Sequence, residues 1–198
     1  CEFYACDLTD RNAVEEMVAE LLAKGPLTAV VNNAGGAIGT DSVADGKVED
    51  WEQMYQRNVV TALNVTQATL PTLRENGGDL LYVTSTAALD TYPGGGGYVA
   101  AKHAEQMIPL TLRQELVGEP VRLIEIAPGM VKTPEFSLNR LGSKEAAEQV
   151  YRGVEKPLVA ADIADLISWC LSRPPHVNID RVIIRPVAQA TNTLVARD

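Results

Sequence analysis

Tyr98 and Lys102 stand four residues apart at the start of a segment of helical composition. Residues at i and i+4 share one helix face, so the phenol and the ammonium are expected to point the same way. A neighbouring cation favours the phenolate. The spacing therefore predicts a Tyr98 pKa below its ordinary value near ~10, suited to acid/base work near neutral pH. Ser85 stands where the apolar, β-branched run 80–84 (LLYVT), bounded in front by Gly77 and Gly78, should end as a buried strand. A hydroxyl there can donate to an oxygen on which charge develops. Singly, such a tyrosine belongs to a surface pair and such a serine to a turn or helix cap. Together, behind a buried strand, they form a candidate proton-transfer site. The glycine run 94–97 between them reads as a flexible loop.

The elements that must position these residues alternate along the chain. Residues 2–6 (EFYAC) read as a short strand, followed by a helix over 11–24 with Asp10 or Thr9 as its cap and Val14, Met17, Val18, Leu21 and Leu22 as its apolar stripe. Gly25 and Pro26 stop that helix. Residues 27–31 (LTAVV) read as a second strand, closed by Asn32-Asn33-Ala34-Gly35-Gly36. A long helical region over 48–76 follows, with Pro71 expected to kink it or mark a break in it. Asn58 lies within it among Val59, Val60, Leu63 and Val65. A buried asparagine there needs hydrogen-bond partners. The helix that carries Tyr98 reaches about residue 117, perturbed at Pro109. Strands are expected over 121–127 and 181–187, with helices over 143–154 and 160–171; the polar segment 134–156 is the most lid-like part of the chain. Strand, helix, strand in succession predicts a parallel sheet with helices on both faces. In such sheets ligands gather beyond the carboxyl ends of the strands, where Asp7, Asn33, Ser85, Pro128 and Gly129 are placed.

The 198 residues suffice for one domain, and 46% apolar with 22% charged residues is ordinary for a globular chain. A net charge of −9 without a basic cluster argues against nucleic-acid or anionic-membrane partners. No apolar run approaches a membrane span, and no signal peptide is visible. Cys1, Cys6 and Cys170 lack metal spacing and read as reduced thiols of a cytoplasmic protein.

In this order, Asn32-Asn33-Ala34-Gly35, Asn58, Ser85, Tyr98-x-x-x-Lys102 and Pro128-Gly129-x-Val131-x-Thr133 resemble the short-chain dehydrogenase/reductase family over nearly the whole chain. The C-terminal run from His176 to Asp180, and from Ile184 to Gln189, together with Pro134-Glu135-Phe136, resembles the NADP-dependent 3-hydroxy acid (serine/allothreonine) dehydrogenases within it.

The resemblance implies a Rossmann-type, doubly wound fold and a hydride transfer between NADP, or NAD, and a small alcohol or carbonyl substrate. It implies that Tyr98 exchanges the proton and that Lys102 lowers the Tyr98 pKa and bonds the nicotinamide ribose. Ser85 would hold the substrate oxygen, and Asn58, at a helix kink, would place a proton-relaying water. Asp7 would contact the adenine, Asn33, Ala34 and Gly35 the adenosine side, and Pro128, Gly129, Val131 and Thr133 the nicotinamide. By the same analogy the protein would be a tetramer, with residues 186–198 in the contact.

One departure is large. The family's first two strands and its glycine-rich phosphate turn have no counterpart in this sequence, so about 50–65 further N-terminal residues are expected in the biological protein. Two other readings are a general carbonyl or polyol reductase and a non-catalytic dinucleotide-binding module. Arg140 could bind a carboxylate bidentately, although a solvated surface arginine is the default expectation.

Overall fold

The computed structural model describes residues 2–198, so the expectation for Cys1 lies outside the described residues. Helix α1 (Arg11–Leu22) begins where Asp10 accepts hydrogen bonds from the backbone N–H groups of Asn12 and Ala13, and it buries Val14 and Val18. Strand β1 (Ala29–Asn32), helix α2 (Val48–Tyr55), helix α3 (Thr61–Asn76) and strand β2 (Gly78–Val83) follow. Next come helix α4 (Gly96–Glu115), strands β3 (Val121–Pro128) and β4 (Val131–Lys132), and helices α5 (Phe136–Leu141) and α6 (Lys144–Tyr151). Strand β5 (Leu158–Val159), helix α7 (Ala160–Leu171) and strand β6 (Arg181–Ile184) complete the order.

The main sheet runs β1-β2-β3-β6, every pairing parallel. Side chains of a strand alternate between its faces, and the core divides accordingly. Leu80, Tyr82 and Leu123 pack with Ala62, Leu73 and Leu116 on the α3/α4 side. Leu81, Ile124 and Ile126 pack with Cys170, Leu166 and Ile167 of α7 on the other. With both faces covered, β2 and β3 read as continuous apolar runs. The doubly wound, Rossmann-type α/β architecture is as the sequence implies.

The base of the sheet, opposite the loops that matter for function, is held by Arg122. Its guanidinium meets both oxygens of Asp79 at 2.5 and 2.6 Å and also donates to the carbonyls of Leu171, Arg173 and Val177.

Four expectations are corrected. Residues 2–6 form no strand and pair with none; without a neighbour the segment has no ladder to join. The 48–76 helix is not broken at Pro71, which sits inside α3; it is interrupted by a π-helical turn, Gln56–Val60, centred on Asn58. The glycine run 94–97 is no flexible loop. Gly96 and Gly97 form the first turn of α4, and a Cβ at Gly97 would collide with Met54 and press on Trp51, so the run exists to let α4 approach α2. The last strand ends at Ile184 rather than 187, since Pro186 offers no donor to the sheet. The two-residue pair β4·β5 and the short helix α5 were not legible in the sequence.

Candidate active site

Beyond the carboxyl ends of β1, β2 and β3 lies a cavity of about 690 Å³. Ser85, Tyr98 and Lys102 all line it, as do Asn33, Gly35, Pro128, Gly129, Val131 and Thr133. Ser85 follows the end of β2, and its Oγ accepts from Ala87 N at 3.0 Å, so it does cap a short 3-10 turn. The same hydroxyl hydrogen-bonds the Tyr98 phenol. Tyr98 and Lys102 lie buried on one face of α4, with the ammonium 5.9 Å from the ring centroid.

The Tyr98 phenol departs from expectation. Burial pushes it up, while the Lys102 ammonium and the Ser85 hydrogen bond pull it down, and burial prevails. The cation that was to lower it is also engaged elsewhere: Lys102 Nζ lies 2.6 Å from Glu105 Oε2 and 3.3 Å from the Val83 carbonyl. Lys102 itself is held above its ordinary value, burial opposing and Glu105 and Tyr98 outweighing it.

Asn58 does not line the cavity but builds its wall. Its Nδ2 donates to Gly36 O at 2.9 Å and to Met54 O at 2.7 Å, while its Oδ1 accepts from Gly36 N at 3.1 Å. The π turn displaces the backbone so that the Met54 carbonyl is free for this side chain. Here the polar partners demanded by a buried asparagine are the loop after β1, which is thereby fixed against the π turn that joins α2 and α3. A Cβ at Gly35 would stand 2.5 Å from Asn58 Oδ1 and 3.4 Å from Lys102 Nζ, so only glycine fits. At Gly36 the corresponding direction is open, and the loop offers bare backbone to the cavity.

Asp7 is not brought to this cavity. It is exposed, and its carboxylate accepts from Thr9 N and Oγ1 at 2.9 and 2.7 Å, which holds it below the usual carboxylate range. Ala34 is exposed on the loop and is not part of the wall. On the far side, a Cβ at Gly129 would collide with the Gln189 side chain, whose Oε1 accepts from Met130 N at 2.7 Å.

Phe136, Arg140 and Asn192 complete the wall. Phe136 of α5 packs edge-on against Tyr98, centroids 5.8 Å apart. Arg140, also of α5, is half-buried rather than solvated. Its Nε donates to Gly39 O at 3.0 Å, Nη1 to Tyr92 OH at 3.2 Å and Nη2 to Gly94 O at 3.1 Å, and its guanidinium lies 5.9 Å from the Tyr98 ring centroid. Asn192, near the C-terminus, accepts from Thr86 Oγ1 at 2.6 Å and so ties the tail to the turn that follows Ser85. Of the three, Asn192 escaped sequence reasoning, since it lies in the tail beyond the last strand, where no periodicity or spacing marks it.

The short chain dehydrogenase family model matches residues 1–142. This chain belongs to that family. Among its relatives, an uncharacterized oxidoreductase of Mycobacterium tuberculosis is 51% identical over 157 residues, which is 78% of this chain and 62% of the relative. The chain thus spans under two thirds of that protein's length. A serine 3-dehydrogenase of Rhizobium radiobacter is 39% identical over 188 residues, covering 94% of this chain and 75% of the relative. Among solved structures, the closed form of a serine dehydrogenase complexed with NADP+ superimposes with a TM-score of 0.90 at 35% identity, covering 98% of this chain and 79% of that one. Of the residues that carry the family resemblance, Ser85, Tyr98 and Lys102 share one cavity and Asn58 stands behind it.

Proposed function

We propose that the protein is an NADP-dependent dehydrogenase/reductase acting on a small hydroxy acid or its carbonyl counterpart. The observation that carries the reading is the convergence of Ser85, Tyr98 and Lys102 on one cavity at the carboxyl ends of the strands. The bare backbone at Gly35 and Gly36 suits the adenosine side of the cofactor, and the cradle of Pro128, Gly129 and Thr133 opposite suits its nicotinamide half. When bound, the cofactor supplies or accepts the hydride. NADP, rather than NAD, is supported by the serine dehydrogenase neighbour that holds NADP+.

The chain's own residues then handle the proton. Ser85 donates to the substrate oxygen and holds it near the phenol. At neutral pH burial keeps the proton on Tyr98, so the group is poised as an acid, and reduction of the carbonyl is the direction it serves without prior ionisation. Lys102 stabilises the phenolate left behind, and its remaining N–H would serve a ribose hydroxyl.

Arg140 supports an acidic substrate. Three of its five N–H groups are committed to Gly39, Tyr92 and Gly94, leaving two for a ligand in the cavity it lines. A guanidinium beside Tyr98 suits a substrate that carries an acid group near the reacting oxygen. Coupled assays of the full-length protein with NADPH and NADH, against 3-hydroxy acids and short neutral alcohols, test this. Turnover confined to neutral substrates would refute the acid preference.

A further inference from the structure

Lys102 does not serve Tyr98 alone. Its partner at 2.6 Å, Glu105, lies three residues on along α4, and the two side chains are 4% and 0% exposed. Glu105 Oε2 takes the ammonium; Oε1 is buried and meets no hydrogen-bond donor. A carboxylate with an idle buried oxygen is costly, and packing alone would favour an apolar side chain. The other buried carboxylate nearby makes the contrast. Glu125 of β3 accepts from Thr84 Oγ1 at 2.7 Å, Gln106 Nε2 at 2.8 Å and Arg181 Nε at 2.6 Å. Glu125 is fully satisfied; Glu105 is tied to Lys102 and nothing else.

The titratable groups facing Glu105 are few. On α4 they are Lys102 and Tyr98; from β2 comes Tyr82, whose hydroxyl is taken by Thr66 of α3; from β3 comes Glu125, already balanced by Arg181 of β6. Lys102 is therefore the one cation paired with Glu105 among the described residues.

We propose that Glu105 is a positioning residue for proton transfer, holding the Lys102 ammonium in place and sharing its charge with Tyr98. The inference rests on the reading of Tyr98 as the acid/base group. Glu105 and the Tyr98 phenolate compete for one buried ammonium. Burial pushes the Glu105 carboxyl up and the Lys102 ammonium beside it pulls it down; while it is ionised, part of that attraction is spent, and the phenol is held towards its protonated form, as a proton donor must be. Without the carboxylate charge, the phenolate becomes the sole anion paired with Lys102, and ionisation of Tyr98 becomes easier.

The test is a spectrophotometric titration of Tyr98 at the phenolate absorbance in the full-length protein, with the matching Tyr98→Phe protein as the blank. Glu105→Gln preserves shape and removes the charge. The midpoint of Tyr98 is expected to fall by about 1 pH unit, and the pH profile of turnover to move to lower pH with it. Glu105→Asp keeps the charge one methylene further from Lys102 and should lie between wild type and Glu105→Gln. If Glu105→Gln does not fold, the Asp variant decides alone, by a smaller shift in the same direction. A midpoint that stays, or moves to higher pH, in the folded variant overturns the proposal. Because the titration reads the phenol directly, it stands apart from the functional reading, which fails if Tyr98→Phe retains turnover.

Discussion

The amide of Asn58 and the backbone of Gly36 form a closed pair of hydrogen bonds: Gly36 N donates to Oδ1 at 3.1 Å and Nδ2 donates to Gly36 O at 2.9 Å. The remaining Nδ2 proton goes to Met54 O in the π turn. One fully buried side chain therefore locks the loop after β1 to the helix pair behind the cavity. Asn58→Ala would leave three backbone groups without partners. At about 1–3 kcal/mol for each unsatisfied buried group, partly offset by relaxation, a loss of roughly 2–5 kcal/mol is expected. Urea unfolding measures it, and a parallel drop in cofactor affinity by fluorescence titration would show that the loop is part of the seat.

Gly35→Ala tests the same wall from the other side. The added Cβ would stand 2.5 Å from Asn58 Oδ1, so the loop or the Asn58 amide that holds the wall behind Lys102 must shift. Misplacement of about 1 Å in a catalytic group can cost on the order of 100-fold in rate. The expected result is a loss of that order in kcat, with a fold unchanged by circular dichroism.

Much of this was legible and some was not, for identifiable reasons. The parallel sheet followed from the alternation of strand and helix, and side-chain chemistry narrowed the α1 cap to Thr9 or Asp10, of which Asp10 takes the part. Ser85, Tyr98 and Lys102 were found because strand end and helix face fix them by short-range geometry. Residues 2–6 misled because a strand exists only with a partner, which sequence pattern does not supply. The Tyr98 pKa misled because helical spacing reveals the nearby cation but neither the burial nor the Glu105 carboxylate that shares it. Arg140 was discounted because its three anchors, Gly39, Tyr92 and Gly94, lie far from it in the chain.

Arg140 gives a prediction on specificity. Removing a charge-assisted hydrogen bond costs roughly 1.5–3 kcal/mol, so Arg140→Ala should raise KM for an acidic substrate by about 10- to 100-fold. For a neutral short-chain alcohol or aldehyde KM should change little. Equal losses on both would mean that Arg140 only braces the loops around Tyr92 and Gly94.

The base of the sheet predicts stability without activity. Arg122 and Asp79 are a mostly buried bidentate pair. Breaking such a pair from one side typically costs about 3–5 kcal/mol, so Arg122→Ala should lower the urea midpoint steeply. The folded fraction should keep its specific turnover, because the pair lies at the end of the sheet opposite the cavity.

Alkaline pH should destabilise the fold through Tyr82. Burial pushes its phenol well up, the bond with Thr66 opposing. In the unfolded chain the phenol ionises near pH ~10, while in the folded protein it stays protonated, so the folded state binds more protons above that pH. Its contribution is complete below pH ~10 and is lost as pH rises beyond it, by about 1.4 kcal/mol per pH unit. Urea midpoints between pH 9 and 11 should fall accordingly, and Tyr82→Phe should flatten the slope.

The central claim is that Tyr98 exchanges the proton in an NADP-linked reaction, and the direct measurement is turnover by the full-length Tyr98→Phe protein with NADPH and its preferred carbonyl substrate. The phenylalanine keeps the ring that packs on Phe136 and loses only the hydroxyl beside Ser85. The expected result is a fall in kcat by at least about 100-fold, with NADPH affinity within a few-fold of wild type. Turnover at the wild-type rate in that variant would contradict the account.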